Sequence, residues 1–489
     1  MTNISKLSLA ALSQRINAQT RTVDFVADDG SISQMVFIPK FTIPAGSFEN
    51  GKFPASDLNL GGFFIDKYQC SHKSATPFAR GIGDNPTVAA DSTDAVAVSQ
   101  PGKVPWTHIT QPNAIQACAN RKINGVACHL VTMKEWATVC YLTKLLGHDI
   151  RGNNNYGRDI RDANTWEKSA VADPTQSGRT LTGTGPVSWS HNGSADGVFD
   201  IVGNVWEWMD FTITDGVYTH KKRSRINDSD GITAKDTTIT LDSMEYGENW
   251  PSSGIIQIEN EIISYGAIDY QGNGKAVLSS CVRGQLSTTA AIHADNTVVH
   301  QLTKYCITPG GATATIANSD GLSASATAIV YTDLVNGPGN NGFAVGDTLQ
   351  AGNEQMKVTA VVSNTLTVER GINGSTAVLH AKGTAIAKVS AQLSNSQPSN
   401  DAYQQGYLTT MRTENDLACM ALPFSGNAQT NEYKDGFWIR NHGVRAALRG
   451  ANWDFGAIGR AGFALALDIA PSHWSSHFGF RAALSLENL

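Results

Sequence analysis

His473 and His477 stand four residues apart, the spacing that places two imidazoles on one helix face and lets them share a zinc ion. Pro471, Ser472, Ser475 and Ser476 surround them and disfavour a helix, so the pair reads as part of a solvent-facing loop. Glu207, Asp210 and Glu414 are the acids available for paired-carboxylate glycoside hydrolysis, but nothing in the sequence sets their separation. Asp200, Glu207 and Asp210 are the acids for a structural calcium ion, although no dense carboxylate loop accompanies them. No other cofactor is implied. The seven cysteines are Cys70, Cys118, Cys128, Cys140, Cys281, Cys306 and Cys419. They are odd in number and form no CxxC pair, which argues against a disulfide framework or a zinc ribbon. That usage fits folding in a reducing cytoplasm.

The densest mixture of reactive and sticky side chains lies between Arg449 and Leu484. Trp453, Phe463, Leu465, Leu467, the Ala470-Pro471 turn and Gly479-Phe480-Arg481 read as a fixed frame. Between them sit Asp454, Phe455, Ile458, Arg460, Ala466, Asp468, Ile469, His473, Trp474, Ser476, His477 and Phe478. The run from His473 to Phe478 has neither a helical nor a strand period, as a core segment would. Aromatic anchors among small polar residues are the composition of a paratope. Exposed aromatics there point to a ligand surface, with Phe455, Trp474 and Phe478 as apolar anchors. Asp454, Arg460, Asp468, His473 and His477 would supply polar selectivity.

These residues need a scaffold, and 489 residues allow two to four domains. Hydrophobic content of 41%, charged content of 16% and 46 glycines describe a globular, β-leaning chain. A net charge of -6 offers no phosphate-binding surplus, so nucleic acid is not an expected partner. No run reaches the ~18 apolar residues of a membrane span, and membrane insertion is not expected. Residues 1–21 read as a helical segment on Leu7, Leu9, Leu12 and Ile16 rather than a signal peptide. Two helices are expected, over 110–122 and 132–146, the second opened by a Thr132/Glu135 capping box. Gly203-Asn204 predicts a tight turn into a strand carrying Trp206, Glu207 and Trp208. That tryptophan pair reads as core rather than a sugar platform.

Near residue 212 the composition turns to Thr, Ile, Val, Ala, Gly and Asn, and stays so to about 395. This stretch holds an internal repeat (about 236–302 and 326–390). Asn260-Glu261, Arg283-Gly284 and His293 correspond to Asn353-Glu354, Arg370-Gly371 and His380. Ten residues separate Arg from His in both copies, and a longer hairpin at Asp269–Gly274 absorbs the remaining difference. His293 and His380 read as structural hydrogen-bonding residues, because no second His or Cys ligand repeats with them.

Four segments together resemble the formylglycine-generating-enzyme/sulfatase-modifying family, a variety of the C-type lectin fold. They are Met35–Phe48 with Gly62–Tyr68, Leu130–Trp136, Gly197–Trp208 (GVFDIVGNVWEW), and Arg449–Leu484 with its GFR ending. The resemblance implies an α+β, C-type lectin-like fold of this variety, with an all-β insertion of two repeated modules. Its two parts would be 22–211 and 396–489, around an insertion at 212–395. The family's cysteine pair would fall at about Phe455 and Arg460, where no cysteine stands, so cysteine oxidation is not carried over.

The C-terminal segment, with FAL-x-L, APS and GFRAAL, resembles the variable region of diversity-generating-retroelement target proteins. There a reverse transcriptase rewrites codons on the ligand face. The repeat modules resemble those of phage tail and tail-fibre proteins. These resemblances imply a binding protein rather than an enzyme, made in a host cytoplasm and carried on a virion, at a phage tail tip or fibre. Its expected partners are a bacterial surface receptor (protein or glycan), other phage tail proteins and further copies of itself in a homotrimer. The alternatives are a parent-family enzyme with relocated chemistry and a structural tail or baseplate protein.

Overall fold

The structure is a computed structural model. It describes residues 18–485 apart from 83–93, 163–168, 245–249, 287, 307–311, 336–341, 353, 373–374, 390–402, 414, 427–432 and 441. The helix expected over 1–21 therefore falls almost wholly outside the described residues. The chain divides into two compact units, 1–216 with 308–489, and 217–307.

The α+β expectation is overturned, because strand accounts for 40% of the chain and helix for only 10%. Two longer helices are present, Gln111–Asn120 and Met133–Leu145, at the expected places. Thr110 and Thr132 accept the N–H groups of Asn113 and Glu135 at the helix starts, and Glu135 completes the capping box. The excess of strand has a local cause. Thr, Ile and Val lose side-chain freedom in a helix and pack well on a pleated surface, and they dominate the long middle of the chain.

In the first unit, a five-stranded sheet runs in the order Arg21–Val26, Ile32–Ile38, Phe63–Asp66, Ala482–Ser485, His129–Leu130. The chain's last described strand thus pairs with strands from its beginning. A second ladder joins Trp206–Thr214, Val444–Arg449, Leu465–Ile469, Gly436–Arg440, Tyr403–Met411 and Pro423–Gly426. Phe478–Phe480 adds to Trp206–Thr214 in parallel, with Trp206 opposite Phe478 and Trp208 opposite Phe480. Trp206 and Trp208 are buried in one cluster with Trp106, Leu448, Phe478 and Phe480, so the tryptophan pair is core.

Two fully buried ion pairs tie this unit together. Arg481 grips Glu207 through Nε and Nη2 at 3.0 and 2.9 Å, and donates to the Asp66 and Phe199 carbonyls. Arg121 holds Asp66 at 2.8 and 3.0 Å. Asp66 also accepts the Ala482 N–H at 3.0 Å, which couples the two pairs along the closing strand.

Residues 313–389 form a closed six-stranded barrel, in the order Thr313–Ile316, Ala328–Val335, Thr365–Glu369, Glu354–Val362, Thr348–Ala351, Ala385–Val389. Ile329, Leu349, Met356, Leu366 and Ile386 fill it. The second unit packs Ile239, Leu241, Ile256, Ile258, Ile263 and Leu278 in a core of its own. Its hairpin Ala267–Gly272 with Lys275–Ser279 is the longer hairpin expected from the repeat spacing.

The repeated residues build one arrangement twice. Glu261 takes two bonds from Arg283, one from His293, and the N–H groups of Gly284 and Ala291. Glu354 takes two from Arg370, one from His380, and the N–H groups of Gly371 and Val378. The histidines are structural, as expected. The repeat also extends upstream. Ser229-Asp230-Gly231-Ile232 and Ser319-Asp320-Gly321-Leu322 each bridge their histidine, Ile232 with His293 and Leu322 with His380. Gly231 and Gly321 have φ of +70° and +75°, and a Cβ on either would collide with the histidine carbonyl.

Burial raises the pKa of Glu261, but the Arg283 hydrogen bonds and the Ala291, His293 and Gly284 donors outweigh it and hold the carboxyl at about 2. Glu354 is likewise held at about 2, by Arg370, Val378 and His380 against burial. Both folded values lie below the ordinary 4.5. The stability they contribute is therefore complete above about pH 4.5 and lost as pH falls toward 2. Hydrogen exchange at decreasing pH, corrected for the intrinsic rate, is expected to show both modules losing protection in that window. Replacing each Glu with Gln should flatten the dependence.

Candidate ligand-binding face

The face begins where two turns clasp. Gly203 and Asn204 take φ of +77° and +65°, the tight turn expected, and the Gly203 N–H donates to the Gly450 carbonyl at 2.7 Å. Gly203 is required because a Cβ there would strike the Asn153 carbonyl. Asn204 accepts the Thr180 N–H at 2.8 Å and donates to Gln69 at 2.8 Å. Arg449 is wholly buried and, among the described residues, makes no salt bridge. It instead donates to the Phe463, Met420 and Ala421 carbonyls at 2.8, 2.9 and 2.9 Å, and burial drives its pKa down to about 10.

From there the chain is held mainly by its main-chain atoms. Tyr156 N–H donates to the Trp453 carbonyl, and Gly456 N–H to the Asn154 carbonyl, at 2.9 and 2.8 Å. The Asn154 amide donates to the Gly459 carbonyl at 2.9 Å. Asp435 accepts the N–H groups of Arg460, Ala461 and Phe463. Burial still pushes the Asp435 carboxyl up to about 6, against those three donors.

The run after Pro471 follows the same rule. The carbonyls of Pro471, Ser475 and His477 accept the N–H groups of Gln111, His108 and Trp206 at 3.1, 2.9 and 2.8 Å. Arg179 donates to the Ser476 carbonyl at 3.0 Å. Asp173 and Thr107 hold Arg179 in turn, at 2.6 and 2.9 Å. A main-chain carbonyl is present whatever the residue, so these anchors do not depend on side-chain identity.

The twelve residues singled out from the sequence separate by burial. Asp454, His473 and Trp474 are exposed, Trp474 to 42%. Phe455, Ile458, Arg460, Asp468, Ile469, Ser476 and His477 are half-buried. Ala466 and Phe478 are buried, and here the sequence expectation needs correction. Phe478 is a core residue, 5.4 Å from the Trp208 ring and nearly perpendicular to it, rather than an exposed anchor. Its strand pairing with Trp206 turns it inward.

Phe455, Ile469, Ala466 and Phe478 meet in one cluster. Phe455 stands edge-on to both Trp206 and Trp438, at 5.1 and 5.2 Å. His473 packs against Phe478 at 5.6 Å and Trp474 against His108 at 5.7 Å. His477 stacks on Trp453 at 4.4 Å. Burial lowers its pKa, helped by Arg179 and opposed by Asp454. Burial raises the pKa of Asp468, opposed in part by Arg440 and Arg445. Trp438, His108 and Arg179 were missed from sequence. Only Trp438 carried a signal, as a large aromatic in the strand just before the segment.

The chemistry considered for other residues does not assemble. Both oxygens of Glu207 are taken by Arg481, and one also by Gln69 at 3.0 Å, which leaves it unfit as a calcium ligand or catalytic acid. Asp200 accepts the Gly183 N–H at 2.8 Å, and burial lifts its pKa to about 6. Glu414 lies outside the described residues. The six described free cysteines are all buried. Burial pushes the thiols of Cys70, Cys128, Cys140 and Cys281 up, away from the thiolate form. Among the described residues no helix is long and apolar enough to cross a membrane.

Residues 25–235 match the family described as Sulfatase-modifying factor enzyme 1-like domain. A domain of that C-type lectin-like fold family is therefore present. Its members are enzymes in some cases and not in others. The match spans the strands and turns from Phe25 through the Trp206–Trp208 motif and stops before the C-terminal segment. No curated protein matches the chain.

Proposed function

We propose that this chain is a receptor-binding protein whose C-terminal segment is a replaceable ligand face. In this reading it sits at a phage or prophage tail, recognises a protein or glycan on a bacterial surface, and is diversified by a retroelement. Display as a homotrimer with other tail proteins would raise weak single-site affinity by multivalency. One observation carries the reading: between Pro471 and His477 the hydrogen-bonding anchors to the frame are main-chain carbonyls, while His473 and Trp474 are exposed. Such a segment can change its side chains and keep its path. An exposed tryptophan beside imidazoles and hydroxyls is a suitable contact residue. A relocated cysteine chemistry finds no support in the six described cysteines, which are all buried.

Trp474→Ala is expected to leave stability within about 0.5 kcal/mol and to lower adsorption to host cells by roughly thirtyfold, the effect of losing a binding hot spot of about 2 kcal/mol. Adsorption counts and a denaturant melt on the same preparation read both. Unchanged adsorption with an unchanged melt would favour a purely structural tail protein. A near-identical copy of the Arg449–Leu484 coding segment beside a reverse-transcriptase gene, with mismatches confined to template adenines, would test the retroelement part.

A further inference from the structure

The second unit carries a surface that the ligand face does not use. The strand Val217–Ile226 reads VYTHKKRSRI, and its residues alternate between two environments. His220, Lys222, Ser224 and Ile226 are buried, while Lys221 is exposed and Arg223 and Arg225 are half-exposed. In an antiparallel ladder, residues directly opposite share a face. Lys221 lies opposite Leu302, Arg223 opposite His300 and Arg225 opposite Val298. The next strand continues the rows, with Ile255 opposite Leu302 and Gln257 opposite His300. One sheet face therefore presents Lys221, Arg223 and Arg225 in a line, with His300 beside them. Ile256, Ile258 and Val299 point the other way, into the packed core.

These cations are not committed to internal partners. Among the described residues, Lys221 and Arg223 make no ion pair. The Arg225 side chain, opposite Asp242 in the neighbouring strand, makes no ion pair among the described residues and donates to the Asn296 carbonyl at 2.7 Å. Lys221 and Arg223 lie close enough to His300 that both help depress its pKa, after burial. A row of unpaired like charges repels itself, and it sits on a chain whose net charge is -6. An anionic partner would relieve that repulsion.

We propose that this face, on the tail-protein reading above, binds an extended phosphodiester polymer of a bacterial cell surface, of the poly(glycerol phosphate) kind. Residues two apart on a strand are spaced by about 6.6 Å, so the three cations form a ladder that an extended chain of phosphates can follow. The class is narrowed by what the face lacks. Binders of single-stranded nucleic acid pair a basic groove with aromatic rings on which bases stack. Among the described residues, those that share the rows of the three cations are Asp242, Val298, His300, Leu302, Ile255 and Gln257, none of them an aromatic stacking platform apart from the His300 imidazole.

The test uses the full chain and fluorescently labelled poly(glycerol phosphate), followed by anisotropy at 50 and 200 mM salt. Three neutralised phosphates on a flexible strand give a salt slope of about -2, so affinity should fall roughly tenfold or more between those concentrations. Lys221→Gln/Arg223→Gln should weaken binding at least tenfold at the lower salt, with an unchanged melt. Lys221→Arg/Arg223→Lys should restore it. Lys235→Gln, in an exposed turn elsewhere in the same unit, should bind as the parent does. Lys221→Gln alone, at an exposed position, reads the effect should the double variant fold poorly. No binding at 50 mM salt, or equal binding by the Gln variants, overturns the proposal. So does tighter binding of an oligothymidylate with the same number of phosphates, or a change of oligomeric state in the Gln variants, which would make the face a contact between copies.

Discussion

Glu207→Ala is expected to cost the first unit about 3–5 kcal/mol, the usual cost of removing one partner of a buried ion pair. Both residues of the Glu207–Arg481 pair are fully buried, so alanine would leave a guanidinium without its counter-charge and far from water. The damage would spread, because Arg481 also donates to the Asp66 and Phe199 carbonyls, and Gln69 would lose one of its acceptors. Glu207→Gln should be nearly as costly, since it keeps the shape and removes the charge. Glu207→Leu/Arg481→Met should recover much of the loss, because a hydrophobic replacement of both partners removes the desolvation cost. Urea denaturation of the four proteins checks this. Equal stability of Glu207→Ala and the parent would mean that the pair does not hold the unit together.

Glu354→Ala is expected to open the barrel, again at about 3–5 kcal/mol, while leaving other parts of the chain closed. Its carboxylate accepts from Arg370, His380 and the Gly371 and Val378 N–H groups, while Arg370 also donates to the Ser323, Ala326 and Val378 carbonyls. Donors on four residues would lose an acceptor at once, and those left unsatisfied add a desolvation penalty. Amide hydrogen exchange is the measurement, because it reports protection strand by strand. The strands Glu354–Val362 and Thr365–Glu369 should lose protection, while Trp206–Thr214 keeps it. Glu261→Ala should do the same to the second unit. Loss of protection across the whole chain would contradict the independence of the barrel.

The parts legible in the sequence were those whose cause is local. A capping box needs only Thr132 and Glu135, and the Gly203-Asn204 turn needs only a backbone that tolerates positive φ. The repeat was legible because Arg-Gly and His recur at one spacing. Its upstream Ser-Asp-Gly element was equally local and was overlooked. The Glu207–Arg481 pair spans 274 residues, and no local pattern announces such a contact. The α+β expectation failed because two well-marked helices outweighed many short strands, some only two or three residues long, too brief to show a period. Phe478 failed for the same reason. It opens a three-residue strand, Phe478–Phe480, and its inward turn comes from parallel pairing with Trp206, far away in the chain. Arg179 sits in a polar loop with nothing in its neighbours to mark it as the residue that holds the Ser476 carbonyl.

The frame fixes the path of the face, on which Asp454, His473 and Trp474 are exposed and Ser476 half-buried. The direct measurement is a library with the codons for Asp454, His473, Trp474 and Ser476 randomised together, scored for folding by melt and for adsorption to host cells. Most members should melt within about 1 kcal/mol of the parent, while nearly all lose adsorption to the original host. A library in which most members fail to fold, or in which folded members adsorb as the parent does, would contradict a replaceable ligand face.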